Sequence, residues 1–358
     1  MRSFVDLDDR IGRVPFDVVG DLRVIDTGRG SEALYRDKLP ALLTSLAQRA
    51  RVASIEASSA IEGIVVESRE RADVILSGQP VTLRDRSEQE LAGYRAALDY
   101  LYQGDWRPLN MGLVLHLHRL LFSFTDVPGG GFKTSENVVV DRLPDGTHVK
   151  RFTPVSAAKT PAFVEELVAR YSAAAREDRH HPVLLVGLFA LDLLTIHPFL
   201  DGNGRITRAL TNALLEDSGY EVTRYVSLES SIAATADRYY DALQGSTTGW
   251  HDGDHDPWGW LRYFVHVVRG TYDEFQRATD TARAAGSKKE RVQLYVRDHA
   301  PASFRMADIR ASLPGVSDAT IRNALDVLRA EGVVDVDGTG RNAAWNRVGS
   351  KTMRGDSR

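Results

Sequence analysis

Val183 to Ile196 reads VLLVGLFALDLLTI, and it constrains the fold more than any other stretch of the chain. A helix that is apolar nearly all round must be covered on every side, so other helices have to pack around it. It is too short and too interrupted to span a bilayer. The run then ends abruptly in His197-Pro198 and passes through Gly202-Asn203-Gly204 into a second helical pattern with Arg205 and Arg208. A buried helix that stops at a histidine, a glycine turn and two arginines implies a core helix aimed at an anion site.

Apolar periodicity predicts further helices over roughly Ala41–Glu62, Ser87–Tyr102, Leu109–Phe122, Thr160–Ala175, Pro182–Ile196, Asn203–Asp217, Ile232–Leu243 and Pro257–Ala284. Gly63 ends the first of these as a C-terminal cap. ENVVVDRLPDGTHVKRFTPV carries two strand-like segments about Leu-Pro-Asp-Gly, a hairpin over about 137–152. Residues 1–35, punctuated by Gly and Asp, read as an extended segment. A helical region follows over 36–110, then a core over 111–284.

From 288 to 348 come three helix-length segments and a second hairpin, the order of a winged helix-turn-helix. Ser317 would cap its third helix and Gly332 end it. Thr320, Arg322, Asn323 and, on the wing, Arg341 are the side chains that could face DNA. Asp and Arg are mixed there without a basic patch, so DNA and self-association, including a homodimer, stand as equal readings. The expected fold class is therefore mainly α, with one short β-hairpin and a C-terminal winged helix.

The net charge of −4 over 358 residues argues against a general nucleic-acid coat or a membrane surface. There are no cysteines, which excludes disulfides, thiolate metal sites and cysteine catalysis. No signal-peptide pattern and no bilayer-length apolar run are present, so the expectation is a soluble cytoplasmic protein with no membrane partner.

The chemistry concentrates between His197 and Arg208. A helix N-terminus offers unpaired N–H groups and partial positive charge to phosphate oxygens. Gly202 and Gly204 let that backbone approach an anion closely. Arg205 and Arg208 are neighbours on the new helix, on a face away from its apolar stripe, and guanidiniums fit phosphate oxygens in a fork. His197 can take a proton from an attacking hydroxyl, and Asp201 can hold Mg²⁺ beside phosphates. A Walker loop is excluded, because its Lys-Ser/Thr pair is missing.

HPFLDGNGRITR resembles the Fic family signature His-x-Phe-x-(Asp/Glu)-Gly-Asn-Gly-(Arg/Lys)-x-x-Arg at every fixed position. The resemblance implies a Fic-type helical core that moves AMP from ATP to a Tyr, Thr or Ser hydroxyl of a target protein. His197 would be the general base and Phe199 the loop's anchor. Asp201 would bind Mg²⁺, and Gly202, Asn203 and Gly204 would hold the α- and β-phosphates. Arg205 and Arg208 would grip the β- and γ-phosphates. Tyr239 or Tyr240, in ATADRYYDAL, would line the adenine side. The 137–152 hairpin would be the flap that receives an extended target segment. Lys133 stands where the family commonly has arginine.

Glu62, at the C-terminus of its helix, opposes the helix dipole, which suggests a cationic partner elsewhere. Ser58-Ser59-Ala60-Ile61-Glu62-Gly63 resembles the family's inhibitory helix. Ser58 and Glu62 would then sit over the catalytic core, with Glu62 paired to Arg208 where a γ-phosphate must lie. Removal of AMP, another phosphate-type transfer on the same scaffold, and an ATP-sensing winged-helix DNA regulator are the alternative functions. HDGDHDP (251–257) reads as a solvated turn. His116, His118, His180 and His181 read as structural or surface residues.

Overall fold

The computed structural model describes residues 2–142, 148–284, 287–313, 315–338 and 343–348. The chain forms two compact units. The larger comprises residues 1–29, 50–223 and 227–272, and the smaller comprises 30–49, 224–226 and 273–358.

In the larger unit the central helix, Pro182–Ile196, is buried from Val183 through Leu193 and again at Thr195 and Ile196. Proline at its first turn supplies a preset φ, and His181 Nδ1 accepts the Val183 N–H at 3.2 Å. Each leucine or isoleucine fully withdrawn from water there contributes about 1.5–3 kcal/mol. Helices Thr160–Glu177 and Asn203–Asp217 flank it. The long helix Trp258–Ala284 comes closest at Gly187, where an added Cβ would lie 2.8 Å from Leu261 Cδ2. Trp260 Nε1 donates to the Gly187 carbonyl at 2.7 Å across that approach.

Asp192 is a carboxylate sealed inside the central helix's apolar surroundings, and burial pushes its pKa up to about 6. Ser3 Oγ at 2.5 Å and Trp250 Nε1 at 2.6 Å donate to it, and Ser3 Oγ also meets His255 Nε2 at 2.9 Å. The segment expected as a solvated turn is therefore anchored from both ends, with Trp250 and His255 buried.

Three expectations need correction. Residues 1–35 are not extended: they form helices Leu7–Ile11 and Phe16–Lys38. Val18, Leu22 and Ile25 supply a buried face at helical spacing, and the glycines and charges of the other faces obscure it. Ile232–Leu243 is two helices, Leu228–Ala234 and Ala236–Thr247, because Thr235 leaves helical geometry at φ −127°. A short helix, Arg69–Ser77, was not expected; Ser68 caps it by accepting the Arg71 N–H.

The hairpin forms as expected. Val139–Arg142 pairs antiparallel with His148–Phe152, and the Leu-Pro-Asp-Gly turn between them lies outside the described residues.

In the smaller unit, Lys288–Leu294, Met306–Ser312 and Asp318–Ala330 are helical. Ser303–Phe304, Ala344–Arg347 and Val334–Asp337 form an antiparallel sheet with the C-terminal strand in the middle. Val292, Val296, Phe304, Ile309, Leu325 and Leu328 share one core. Ser317 caps the third helix through the Thr320 N–H at 3.2 Å, and Gly332 follows it at φ +71°. Arg341 lies outside the described residues. The unit is wider than the expected 288–348, since residues 30–49, 224–226 and 273–287 pack within it. Among the described residues no helix is long and apolar enough to cross a membrane.

Helix Arg86–Tyr102 meets the end of helix Met111–Leu121 at Gly93, where an added Cβ would sit 1.9 Å from the Leu121 carbonyl oxygen. Backbone cannot yield there, so Gly93→Ala is expected to destabilise by about 1–3 kcal/mol. Gly20→Ala, in a helix with open space around it, should instead stabilise by about 0.4–1 kcal/mol. Urea unfolding of both variants checks the pair, and equal midpoints would contradict the packing described.

Candidate active site

The central helix ends at His197 in the left-handed region, φ 51° and ψ 62°, with its N–H still bonded to the Leu193 carbonyl at 3.0 Å. That conformation costs a residue with a Cβ about 1–3 kcal/mol, so the surroundings must enforce it. Asn203 does part of this. Its Oδ1 accepts the Phe199 N–H at 2.9 Å and its Nδ2 donates to the Phe199 carbonyl at 2.8 Å, closing the loop on itself. Asn203 is thereby buried and turned inward, so it is a loop brace rather than the phosphate ligand expected.

Phe199 is the anchor that the sequence suggested. Its buried ring stacks on His118 at 3.8 Å and 7°. His118 Nδ1 accepts the Gly130 N–H at 2.9 Å, which leaves Nε2 as the protonated nitrogen facing the Asp201 carbonyl at 3.2 Å. Burial lowers the pKa of His118 to about 4, so it serves as a neutral strut. His118 is structural, as expected, but its part in holding the loop was not legible.

His197 itself is half-buried. Its Nδ1 faces the Leu194 carbonyl at 3.2 Å, an atom that only accepts, so Nδ1 carries the hydrogen and Nε2 keeps its lone pair. Burial lowers the pKa to about 4, and the nearby Lys133 charge pushes the same way. The ring is therefore a neutral acceptor at pH 7. Phe152, at the end of the hairpin, stands edge-on to it with centroids 6.0 Å apart.

The two arginines separate. Arg208, on the helix Asn203–Asp217, is buried, and its Nη2 contacts Glu62 Oε1 at 2.7 Å. Its Nε donates to Ser58 Oγ at 2.8 Å and its Nη2 to the Ser58 carbonyl at 3.0 Å. Burial alone would lower its pKa, but the charge and hydrogen bond of Glu62 together with Tyr239 and Tyr94 outweigh this and raise it. Glu62 lies just past the helix Pro40–Ile61, with Gly63 turning the chain at φ +76°. An added Cβ at Gly204 would meet Glu62 Oε1 at 2.1 Å, so the carboxylate rests against the first turn of the Asn203–Asp217 helix. The carboxylate that opposes its own helix dipole is thus satisfied by the N-terminus of another helix.

Arg205 points the opposite way, contrary to expectation. It is fully buried, with Nη1 on Glu90 Oε2 at 2.6 Å and its guanidinium 5.6 Å from the Phe122 ring centroid. It cannot join Arg208 on one ligand in this arrangement; residues three apart differ by about 60° around a helix, enough to select different neighbours. Asp201 stays half-exposed. It accepts the Gly202 N–H at 2.6 Å, Arg86 Nη2 at 3.1 Å and Arg205 Nη2 at 3.4 Å. Arg86, which gave no signal in the sequence, is thus the exposed cation at this edge.

Gly202 has φ +82°, and a Cβ there would lie 2.7 Å from Leu121 Cδ2, so both conformation and space require glycine. The tyrosine pair divides. Tyr239 is core, packed against Trp260 and Tyr263, which corrects its placement on the adenine side. Tyr240 is half-buried, with the Arg151 guanidinium 4.4 Å from its ring centroid.

Residues 108–215 match the model of the Fic/DOC family. Protein adenylyltransferase Fic of Drosophila willistoni is 28% identical over 193 residues, covering 53% of this chain and 34% of that protein. The namesake from Culex quinquefasciatus is 26% identical over 251 residues, covering 67% of this chain and 45% of that protein. The chain spans less than half the length of these curated relatives. In fold it is similar to a Fic family protein from Desulfovibrio desulfuricans G20, with a TM-score of 0.60, 19% identity, and coverage of 94% and 97% of the two chains. Fic-1 from C. elegans gives 0.54 at 20% identity, over 75% of this chain and 74% of that one. The span that matches the Fic/DOC family model holds His197, Asp201 and Arg208.

Glu90→Ala would strand the Arg205 guanidinium in the interior, a loss of about 3–5 kcal/mol. Arg205→Met, which removes the cation and keeps apolar bulk, should cost less when paired with Glu90→Leu than Glu90→Ala costs alone. Thermal unfolding of the wild type and the two variants tests the ordering; a neutral Glu90→Ala would refute the buried pair.

Proposed function

We propose that this protein transfers AMP from ATP to a Ser, Thr or Tyr hydroxyl of a protein, and that Glu62 holds it inactive. The observation that carries the reading is the Glu62 carboxylate seated on Arg208 and on the helix turn at Gly204, beside a histidine whose Nε2 is free to accept a proton. An anion already occupies the place built for one. A triphosphate could bind there productively only after the carboxylate leaves.

With Glu62 displaced, Arg208 and the N–H groups of the Gly202–Gly204 turn would hold phosphate oxygens. His197 Nε2 takes the proton of the acceptor hydroxyl, whose oxygen attacks the α-phosphorus. The bond to the bridging oxygen breaks, and pyrophosphate leaves with the electron pair. Positioning and charge neutralisation supply most of the acceleration in such displacements.

The donor set suits Mg²⁺: Asp201 offers one exposed carboxylate, and among the described residues no cluster of three metal-ligating side chains exists. Mg²⁺ commonly takes one or two carboxylates and completes its shell with phosphate oxygens. Asp201 would hold the ion, which supplies charge neutralisation to the leaving phosphates.

The Val139–Phe152 hairpin would receive the target as an added strand, with Phe152 placing the incoming side chain near His197. The smaller unit we read as a winged helix. The exposed face of its third helix sets Asp318 and Asp326 against Arg322 and Arg329, a balance that favours a protein partner, such as a second copy, over a phosphate backbone.

Glu62→Gly should raise auto-incorporation of AMP by at least about tenfold, equivalent to about 1.4 kcal/mol of barrier. Mass spectrometry of the product distinguishes AMP from phosphate, and incorporation equal to the wild type would sink the inhibitory assignment. In the same background His197→Ala should abolish transfer. Because the unprotonated ring is required and its pKa is lowered to about 4, the rate should stay level from neutral pH down to about pH 5. Activity is then lost as pH falls through about 4. An acid limb centred on the ordinary histidine value would contradict the burial of that ring.

A further inference from the structure

The left-handed turn at His197 is gripped from a second direction, by a segment just upstream of the hairpin. The Lys133 N–H donates to the Pro198 carbonyl at 3.0 Å, and Lys133 Nζ donates to the Ile196 carbonyl at 3.3 Å. Asn137 Nδ2 donates to the Phe199 carbonyl at 3.0 Å, while Asn137 Oδ1 accepts from Lys133 Nζ at 2.8 Å. The Ile196 and Phe199 carbonyls, on either side of His197, thus face one linked pair of side chains, and the Pro198 carbonyl between them meets the Lys133 backbone. Lys133 is only 4% exposed. Burying a lysine without a carboxylate partner is costly, which a surface-filling role would not explain. Burial lowers its pKa to about 8, so it keeps its charge at neutral pH.

We infer that Lys133 and Asn137 form a positioning clamp that holds the backbone of His197 in its left-handed conformation and so aims Nε2 at the acceptor hydroxyl. This rests on the reading of His197 as the general base. Neither residue needs to touch substrate. The ammonium caps the last carbonyl of the central helix, where the dipole favours a cation. Asn137 then ties the same loop to the root of the hairpin, whose first strand begins at Val139. The structure that would receive the target and the one that would activate its hydroxyl are therefore joined through this hydrogen-bonded pair. The clamp grips the histidine side of the loop, whereas Arg208 and Gly204 form the anion side. Its removal is expected to harm chemistry and spare nucleotide binding.

The test uses the full chain carrying Glu62→Gly, with Lys133→Met, Lys133→Arg and Asn137→Ala added singly. Lys133→Met and Asn137→Ala should each lower kcat about tenfold to a hundredfold, the scale of a loosened catalytic group. KM for ATP should stay within about twofold, since ground-state binding is untouched. Lys133→Arg, which keeps charge and donors, should recover most of the rate. Unchanged kcat in both Lys133→Met and Asn137→Ala, or a loss carried entirely by KM, overturns the clamp. Asn137→Ala, which removes no charge, decides the matter if Lys133→Met does not fold.

A second readout does not depend on transfer. The His197 imidazole resonance, identified by its loss in His197→Gln, should titrate at higher pH in Lys133→Met, because a neighbouring positive charge is gone. Asp201 is the other charge facing the ring once Glu62 is glycine, and it is unchanged in the variant. If no form transfers AMP yet this midpoint rises, the clamp stands and the reaction assigned to the site fails. A midpoint that does not move, in forms without transfer, overturns the clamp.

Discussion

An apolar helix buried on every side has to stop somewhere, and its last carbonyls need donors that the interior does not supply. Here the helix Pro182–Ile196 ends by turning left-handed at His197; Lys133 meets the Ile196 carbonyl and His197 the Leu193 and Leu194 carbonyls, while Asn137 and Asn203 hold the Phe199 carbonyl of the loop that follows. The rest of the site follows from that termination. The reversal places an imidazole at the rim of the core, and Gly202 restarts the chain as a helix whose first turn faces the same rim. Termination of one helix and initiation of the next thus bring an imidazole and a helix N-terminus together within one short loop.

The first turn of the new helix already has an anion against it. The Glu62 carboxylate finds the helix N-terminus at Gly204, the Arg208 guanidinium and, through Arg208, the Ser58 hydroxyl. A phosphate oxygen would seek the same donors. Glu62 is partly exposed at the end of its helix, so its displacement does not require the core to open. Arg208 is deeply buried and cannot follow it. Glu62 is thus the more exposed member of the pair and Arg208 the buried one.

Arg205 shows how a ligand-like pattern can serve structure instead. In sequence it is the twin of Arg208. In space it joins Glu90, Arg86 and Asp201 in a network that supports the loop from beneath. A buried guanidinium needs a carboxylate close by, and helix Arg86–Tyr102 supplies one at Glu90. Of the two arginines only Arg208 is left beside Glu62, and the exposed Arg86 beside Asp201 is a further charge at the loop's edge.

Local chemistry was legible throughout. Apolar periodicity located the central helix and the helix that begins at Asn203. Glycine and proline marked the hairpin, Ser317 and Gly332 bounded a helix, and the spacing of Ser58 and Glu62 put both on one side of a turn. These are consequences of backbone geometry within a few residues, and the chain carries them wherever it goes. Partner choice was not legible. That Arg205 meets Glu90 and not a phosphate, that Asn203 turns inward, and that Tyr239 packs on Trp260 are all settled by contacts between distant segments. So is the bracing of a histidine by Lys133 and Asn137. Helix Phe16–Lys38 was hidden for the same reason, its narrow buried face being defined only by what covers it. The sequence by itself determined the central helix, the helix that follows it, the hairpin and the kinds of chemistry at the loop. Tertiary structure alone decided which donor meets which acceptor, because hydrogen bonds and desolvated charge pairs act over a few ångströms and depend on what the fold brings that near.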